Sequence, residues 1–346
     1  LRRNKKIPMM KCIVCKEPGK FEMQEIIRPE LTEGNAIIKI KRIGICGTDF
    51  HAYKGTQPYF TYPRILGHEL SGEIAEIELS IQDFSIGDNI TIIPYYPCGE
   101  CIACRRSKPN CCENIKGAGV HIDGGMVEYL SVPVHSLIQG RGLGYEELAM
   151  VETLAIGAHA VRISEIEPDE FVLVTGCGPI GMGVMEFSRI AGAKVIAMDI
   201  IKERLNFCRD VLGIDFLVDA AESPAKKLKE ITNGDWPTIV IDATGNANAI
   251  VKGFEYLAHG GRYVMVGIQK EDICFNHPEF HKRETTLMSS RNATREDFEH
   301  VISSMKKGLV KARSYITHTV SFDKMIDEFK VWIKPDSGVI KAMVKL

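Results

Sequence analysis

Short apolar or alternating runs dominate the first third of the chain. Residues 11–15, 36–43, 72–77 and 89–93 are of this kind, with Gly, Pro, Asn and Asp between them, the signature of a small all-β unit. A glycine-rich loop after residue 117 leads into a further strand at 126–132, and an apolar helical stretch runs from 150 to 161. From residue 171 the pattern changes. Phe171-Val172-Leu173-Val174-Thr175 is a continuous apolar strand, followed by a glycine-rich turn and a helix-period run to Ala191. Strands are then expected at 194–199, 216–218, 238–242, 262–266 and 286–290, with helices at 202–212, 224–233, 247–257 and 296–307. Six strands alternating with helices predict a doubly wound parallel sheet that binds ligands at its C-terminal strand ends. An amphipathic helix at 322–332 and a strand at 338–344 close the chain. The expected fold class is α/β, a β-rich domain joined to a doubly wound domain.

Composition narrows the function. At 346 residues the chain suggests two domains, and 45% hydrophobic with 25% charged residues is ordinary for a soluble globular protein. A net charge of -2 points to neither nucleic acid nor anionic lipid. No apolar run approaches the roughly 18–20 residues of a spanning helix. The basic start of the chain, residues 1–8, lacks a following apolar segment and reads as a disordered leader rather than a secretory signal, with the ordered fold beginning near Met10. Eleven cysteines, several in one cluster, suggest metal binding in a reducing compartment, the cytoplasm, rather than a disulfide scaffold.

Two stretches carry metal chemistry. Gly44-Ile45-Cys46-Gly47-Thr48-Asp49-Phe50-His51 and Gly67-His68-Glu69-Leu70-Ser71-Gly72 offer thiolate, imidazole and carboxylate, the three zinc ligand types. Cys46 and His68 are the first two candidates, and Glu69 or a later carboxylate is the third. On an extended or tightly turned segment Thr48 reaches a metal-bound oxygen, and His51 passes its proton to water. Asp49 suits the far nitrogen of a ligating histidine. Glu152, among apolar neighbours, needs a partner, which is either a metal site or the dipole of the helix it starts. The second stretch is Cys98, Cys101, Cys104 and Cys112, four thiols in fifteen residues. That spacing suits a closed tetrahedral zinc site, with an iron–sulfur cluster as the alternative. Cys111 leaves the register of the last ligand ambiguous. Cys12 and Cys15 read as core. His121 and Asp123 lie on a glycine-rich loop, either as surface turn residues or facing a substrate.

The turn after the first strand of the second half reads Gly176-Cys177-Gly178-Pro179-Ile180-Gly181, a G-x-G-x-x-G between strand and helix. Its glycines let a pyrophosphate approach the helix N-terminus. Asp199 ends the next strand and suits the ribose hydroxyls of NAD, while a 2′-phosphate beside it would be repelled. Arg204, Thr244 and Gly267 are placed with the cofactor. Arg291 and Asn292 leave the sixth strand at the ligand edge and are assigned to substrate.

In this order the motifs identify a resemblance to the zinc-containing medium-chain alcohol dehydrogenases, covering nearly all of the chain from Met10. Within them it is similar to the polyol and sugar-acid branch, through Ser289-Ser290-Arg291-Asn292-Ala293-Thr294, Gly119-Val120-His121 with Asp123-Gly124-Gly125, and Ile241-Asp242-Ala243-Thr244-Gly245-Asn246. The resemblance implies a GroES-like catalytic domain at 10–155 with a structural-zinc lobe at 94–116, a Rossmann domain at 156–294, and a return to the catalytic domain at 295–346, rejoined through 312–346. It implies one catalytic and one structural zinc, Glu69 as direct ligand with Glu152 acting through water or in exchange, a Thr48–His51 proton relay, and Lys341 as the cation on the cofactor pyrophosphate. The implied activity is NAD-dependent oxidation of a secondary hydroxyl of a sugar acid or polyol, in a homo-oligomer.

Overall fold

A computed structural model describes residues 8–56, 60–334 and 336–346. The leader expected at the start of the chain falls largely on residues 1–7, outside the described residues. The chain forms two compact units, one of residues up to Glu152 together with Ala312–Leu346, the other Thr153–Lys311.

The first unit is built on the strand Asn35–Ile45, which is antiparallel to Glu69–Ile77, Tyr129–Pro133 and Lys341–Lys345. The last of these strands comes from the end of the chain, so the return segment completes the sheet that the first residues began. Asn89–Ile92 and Leu137–Gln139 extend one side, and Ile316–Ser321 the other. Ile38, Ile40, Ile43, Leu70, Ile74 and Ile90 fill the interior. A separate three-stranded sheet pairs Met9–Glu17 with Lys20–Ile27 and Arg64–Ile65. The strand Lys20–Ile27 escaped the sequence reading because its residues alternate weakly and only Phe21 is buried.

The second unit holds six parallel strands in the order Phe216–Asp219, Lys194–Asp199, Phe171–Thr175, Ile239–Asp242, Arg262–Met265 and Thr286–Ser289. Phe171–Thr175 therefore lies between the second and fourth strands in sequence, where the winding reverses. Doubly wound sheets bind ligands outside the strand ends at this point.

The helix Arg295–Lys306 corrects the expected boundary at residue 295. Its Asp297, 1% exposed, accepts from Arg162 Nε at 2.7 Å and pairs with His159 Nδ1 at 2.8 Å. Arg162 and His159 belong to the helix Val151–Ile163, so these contacts keep Arg295–Lys306 in the second unit and the crossing falls after Lys311. The expected helix at 202–212 is α-helical to Phe207 and π-helical over Cys208–Leu212. The helix His277–Lys282, short and with no buried residue, left no periodic signal to read.

Candidate functional site

Cys46 is the N-cap of a helix, Gly47–Tyr53. This corrects the extended or turned segment expected there. Asp49 begins the helix by accepting from Cys46 N–H at 2.9 Å, the usual way a side chain satisfies a free donor at a helix start. The helix buries Asp49 and exposes His51. Thr48 and His51, three residues apart, are neighbours on its surface. His51 Nδ1 lies 2.9 Å from Thr56 Oγ1.

His68 and Glu69 arrive from a glycine-built turn. Gly67 has φ +94°, which disfavours any side chain. Gly119 and Gly124 pack directly on it: a Cβ at Gly124 would stand 2.3 Å from Gly67 O. Asp123 ties the same loop down by accepting from Ile65 N–H at 3.0 Å, and His121 Nδ1 accepts from Gly117 N–H at 3.0 Å. Both side chains thus hold the loop that supports His68. Gly44 lies opposite Glu69 in the sheet, and a Cβ there would meet Glu69 Oε2 at 2.1 Å. Only glycine leaves room for that carboxylate.

One ligand atom each from Cys46, His68 and Glu69 lies within 4.8 Å of the others. Glu152, the alternative third ligand, is outside this set. Its carboxylate accepts instead from the Tyr95 hydroxyl. The Lys341 assignment needs correction: its ammonium, 2% exposed, sits on Glu69 Oε1 and Oε2 at 2.6 and 2.7 Å and on Ile45 O at 3.3 Å rather than open to a pyrophosphate. Burial alone would lower the Lys341 pKa, but Glu69 and Cys46 outweigh it and hold it above the usual value. The sequence places the lysine near a nucleotide by family position and carries no sign of its carboxylate partner 272 residues away.

The residues fit a divalent metal. Glu69, Glu152 and Asp49 are buried together. Burial pushes Glu152 and Asp49 above the ordinary carboxylate range, as expected for acids short of positive charge. His68 Nδ1 and Asp49 Oδ1, both buried, stand 4.0 Å apart without a hydrogen-bond partner. A cation on the three donors would balance the acids and draw on the set that suits zinc.

The second cluster is independent. Cys98, Cys101, Cys104 and Cys112 also bring their sulfurs within 4.8 Å of one another. Cys98 N–H donates to Cys112 Sγ at 3.2 Å and Cys101 N–H to Cys98 Sγ at 3.4 Å. Backbone N–H groups of Cys104 and Glu113 pull the Cys101 thiol down to about 6, toward the thiolate a metal needs, while burial and the neighbouring Cys101 push the Cys104 thiol up to about 12, as expected for thiols crowded together without a cation. Cys111 is exposed and outside the set, which resolves the register.

In the second unit Gly176 has φ +95°, and a Cβ at Gly181 would fall 1.8 Å from Gly176 O. Gly178 is the N-cap and Pro179 the first residue of the helix Pro179–Ile190, into which Ile180 and Gly181 follow. Asp199 ends its strand with Oδ2 accepting from Cys177 N–H at 2.6 Å and Oδ1 from Ile201 N–H at 2.9 Å, so the acid is locked to the glycine turn. An Arg204 guanidinium nitrogen is 3.9 Å from where a Cβ on Gly178 would stand. Thr244 Oγ1 bonds Asp242 at 2.9 Å, and Gly267 packs on Gly245, 2.2 Å from its N for an added Cβ.

The sequence reading missed Asp242 as a support. It is fully buried and accepts from Thr175 Oγ1 at 2.7 Å, joining the ends of two central strands. An acid ending an otherwise apolar strand was the available signal. Arg291 is exposed just after the sixth strand, and Asn292 takes φ +52°, a conformation asparagine tolerates.

Comparison with known proteins agrees with this geometry. Residues 32–141 match the alcohol dehydrogenase GroES-like domain and residues 179–307 the zinc-binding dehydrogenase model. The chain is 40% identical to L-galactonate-5-dehydrogenase of Escherichia coli (strain K12), over 97% of this chain and 98% of that one. It is 33% identical to sorbitol dehydrogenase of Halalkalibacterium halodurans, over 87% and 89%. The crystal structure of RspB from E. coli CFT073, complexed with NADH, superposes with a TM-score of 0.91 at 28% identity, covering 98% and 99%. The chain therefore belongs to the zinc-type medium-chain dehydrogenases, in their polyol and sugar-acid group, and is an oxidoreductase with a GroES-like domain and a Rossmann-like domain.

Proposed function

We propose that the chain oxidises a secondary hydroxyl of a sugar acid or polyol to a ketone with NAD, a hexonate such as L-galactonate or L-gulonate being the preferred substrate. The convergence of Cys46, His68 and Glu69 on one point carries the reading. The name of the relative at 40% identity supports the substrate class. Cys46, His68 and Glu69 would hold a catalytic zinc, and Cys98, Cys101, Cys104 and Cys112 a structural one. Bound zinc supplies a Lewis acid that makes a hydroxyl easier to deprotonate, and NAD supplies the hydride acceptor. The Thr48 hydroxyl would take the substrate proton as it passes its own onward, and His51, exposed on the same helix, would release a proton to water. Lys341 holds Glu69 in place, and Glu152 stands near the donors with its carboxyl on the Tyr95 hydroxyl. Gly176, Gly178, Pro179, Ile180, Gly181, Asp199, Arg204, Thr244 and Gly267 form the cofactor set, and His121, Arg291 and Asn292 the substrate set.

Asp199 makes a cofactor prediction. A 2′-phosphate next to this carboxylate meets like charge, so kcat/KM with NAD exceeds that with NADP by at least about tenfold, roughly 1.4 kcal/mol. Equal efficiencies would show that Asp199 does not face the ribose.

Arg291 makes another. A guanidinium matches a carboxylate or two adjacent hydroxyls with paired donors. Arg291→Ala lowers kcat/KM for a hexonate by about 2–4 kcal/mol and hardly alters a short secondary alcohol. A panel of hexonates, pentitols and short alcohols followed at the NADH absorbance tests the whole reading. If ethanol or butanediol is turned over better than every hexonate and pentitol, the chain is a general alcohol dehydrogenase instead. The reading also places the chain in the cytoplasm, where free lobe thiols persist. It includes assembly with copies of itself, supported by the exposed edge strand Thr286–Ser289 and tested by light scattering. No helix among the described residues is long and apolar enough to cross a membrane.

A further inference from the structure

Tyr95 faces two ways. It belongs to the two-residue strand Tyr95–Tyr96, which pairs with Lys116–Gly117 at the root of the four-cysteine lobe. Its ring packs against Cys101, Cys112 and Ile115. Its hydroxyl donates to Glu152 Oε1. Glu152 is 4% exposed, and among the described residues Tyr95 is the side chain that hydrogen-bonds it. Glu152 lies close enough to His68 and Glu69 to interact with them electrostatically, yet it stays outside the group formed by Cys46, His68 and Glu69.

We propose that Tyr95 is a positioning residue for Glu152: its phenol holds the carboxylate beside the three donors and off the metal, so that one coordination position stays open. The inference rests on reading Cys46, His68 and Glu69 as the catalytic metal site. A catalytic zinc has three protein ligands, and a fourth would close its tetrahedron. Glu152 is the buried acid placed to become that fourth ligand. A free carboxylate next to a divalent cation would be drawn onto it, so something must hold Glu152 back. The phenol suits this task because strand pairing and lobe packing fix its ring, and Glu152 is fixed in turn by its place in the first turn of the helix Val151–Ile163. The same arrangement connects the lobe to the site. The thiols that organise the lobe also hold the ring whose hydroxyl sets the Glu152 rotamer.

Tyr95→Phe removes the hydroxyl and keeps the ring, so the lobe packing survives. Crystal structures of the zinc-loaded wild type and variant provide a readout independent of turnover. In the wild type, Glu152 lies outside bonding distance of zinc. In Tyr95→Phe, a Glu152 oxygen moves to about 2.0–2.2 Å from zinc. Turnover follows: kcat falls about 10–100-fold, the usual range for losing a group that orients a metal-site residue, while the KM for NAD is unchanged. An unchanged Glu152 position and kcat in Tyr95→Phe overturn the inference, as does a wild-type structure with Glu152 already on zinc. A zinc-loaded wild type with no ion between Cys46 and His68 overturns the metal reading itself and this inference with it.

Discussion

Cys46→Ser lowers kcat/KM by about 10⁴-fold, roughly 5.5 kcal/mol, and leaves the fold intact. The loss is large because the thiolate is the softest of the three donors, and serine cannot replace it as a zinc ligand at neutral pH. The fold survives for a local reason. The bond that starts the helix Gly47–Tyr53 runs from the Cys46 backbone N–H to Asp49, so it does not involve the sulfur, and serine is itself a favoured N-cap residue. Steady-state kinetics with far-ultraviolet circular dichroism and zinc analysis check this. The variant should lose one zinc per chain, keep its spectrum and keep its melting temperature to within a few degrees. Wild-type turnover in Cys46→Ser would remove the thiolate from the chemistry.

Cys101→Ser has the opposite profile, costing stability before chemistry. The lobe has little else to hold it: a four-residue helix, Ile102–Arg105, a single turn at Pro109–Cys111 and a pair of two-residue strands. Its apolar core consists of Cys101, Cys112 and Ile115, with a few partly buried neighbours. A structural zinc in such a unit contributes on the order of 10 kcal/mol, and losing one of four thiolates forfeits much of it. Arg105, Arg106 and Lys108 are exposed on the lobe, so trypsin reports its opening. The variant should be cut within the lobe under conditions where the wild type resists, and should unfold at a lower temperature. Equal cleavage and equal melting would mean that the four thiols do not jointly hold a metal. Through Tyr95 the variant should also lose turnover as Glu152 is released.

Much of this architecture was legible because the signals are local. A nucleotide turn needs glycine at particular positions: Gly176 adopts a positive φ and Gly181 stands against Gly176 O, so the motif records its own geometry. The four lobe cysteines lie within fifteen residues, and their spacing states the chemistry. What escaped depended on distant partners. Lys341 meets Glu69 only because the end of the chain pairs with Asn35–Ile45, and no local pattern records that strand order. Tyr95 and Glu152 are 57 residues apart, and Asp297 joins His159 across 138. His121 and Asp123 stand out in the sequence as polar residues on a glycine-rich loop, open to a supporting role or a substrate role. Their bonds to Gly117 and Ile65 are set by how that loop packs over Gly67, which the sequence alone does not display.

The central claim is that this oxidoreductase works through a metal held by Cys46, His68 and Glu69, separate from the four-cysteine lobe. The most direct measurement is metal analysis of the pure protein combined with stepwise zinc removal by a chelator and back-titration, with NAD-dependent hexonate oxidation followed at each step. The account predicts two zinc ions per chain, activity lost on removal of the one absent from Cys46→Ser, and activity regained in proportion as that zinc is restored. Full activity with one zinc or none would contradict it.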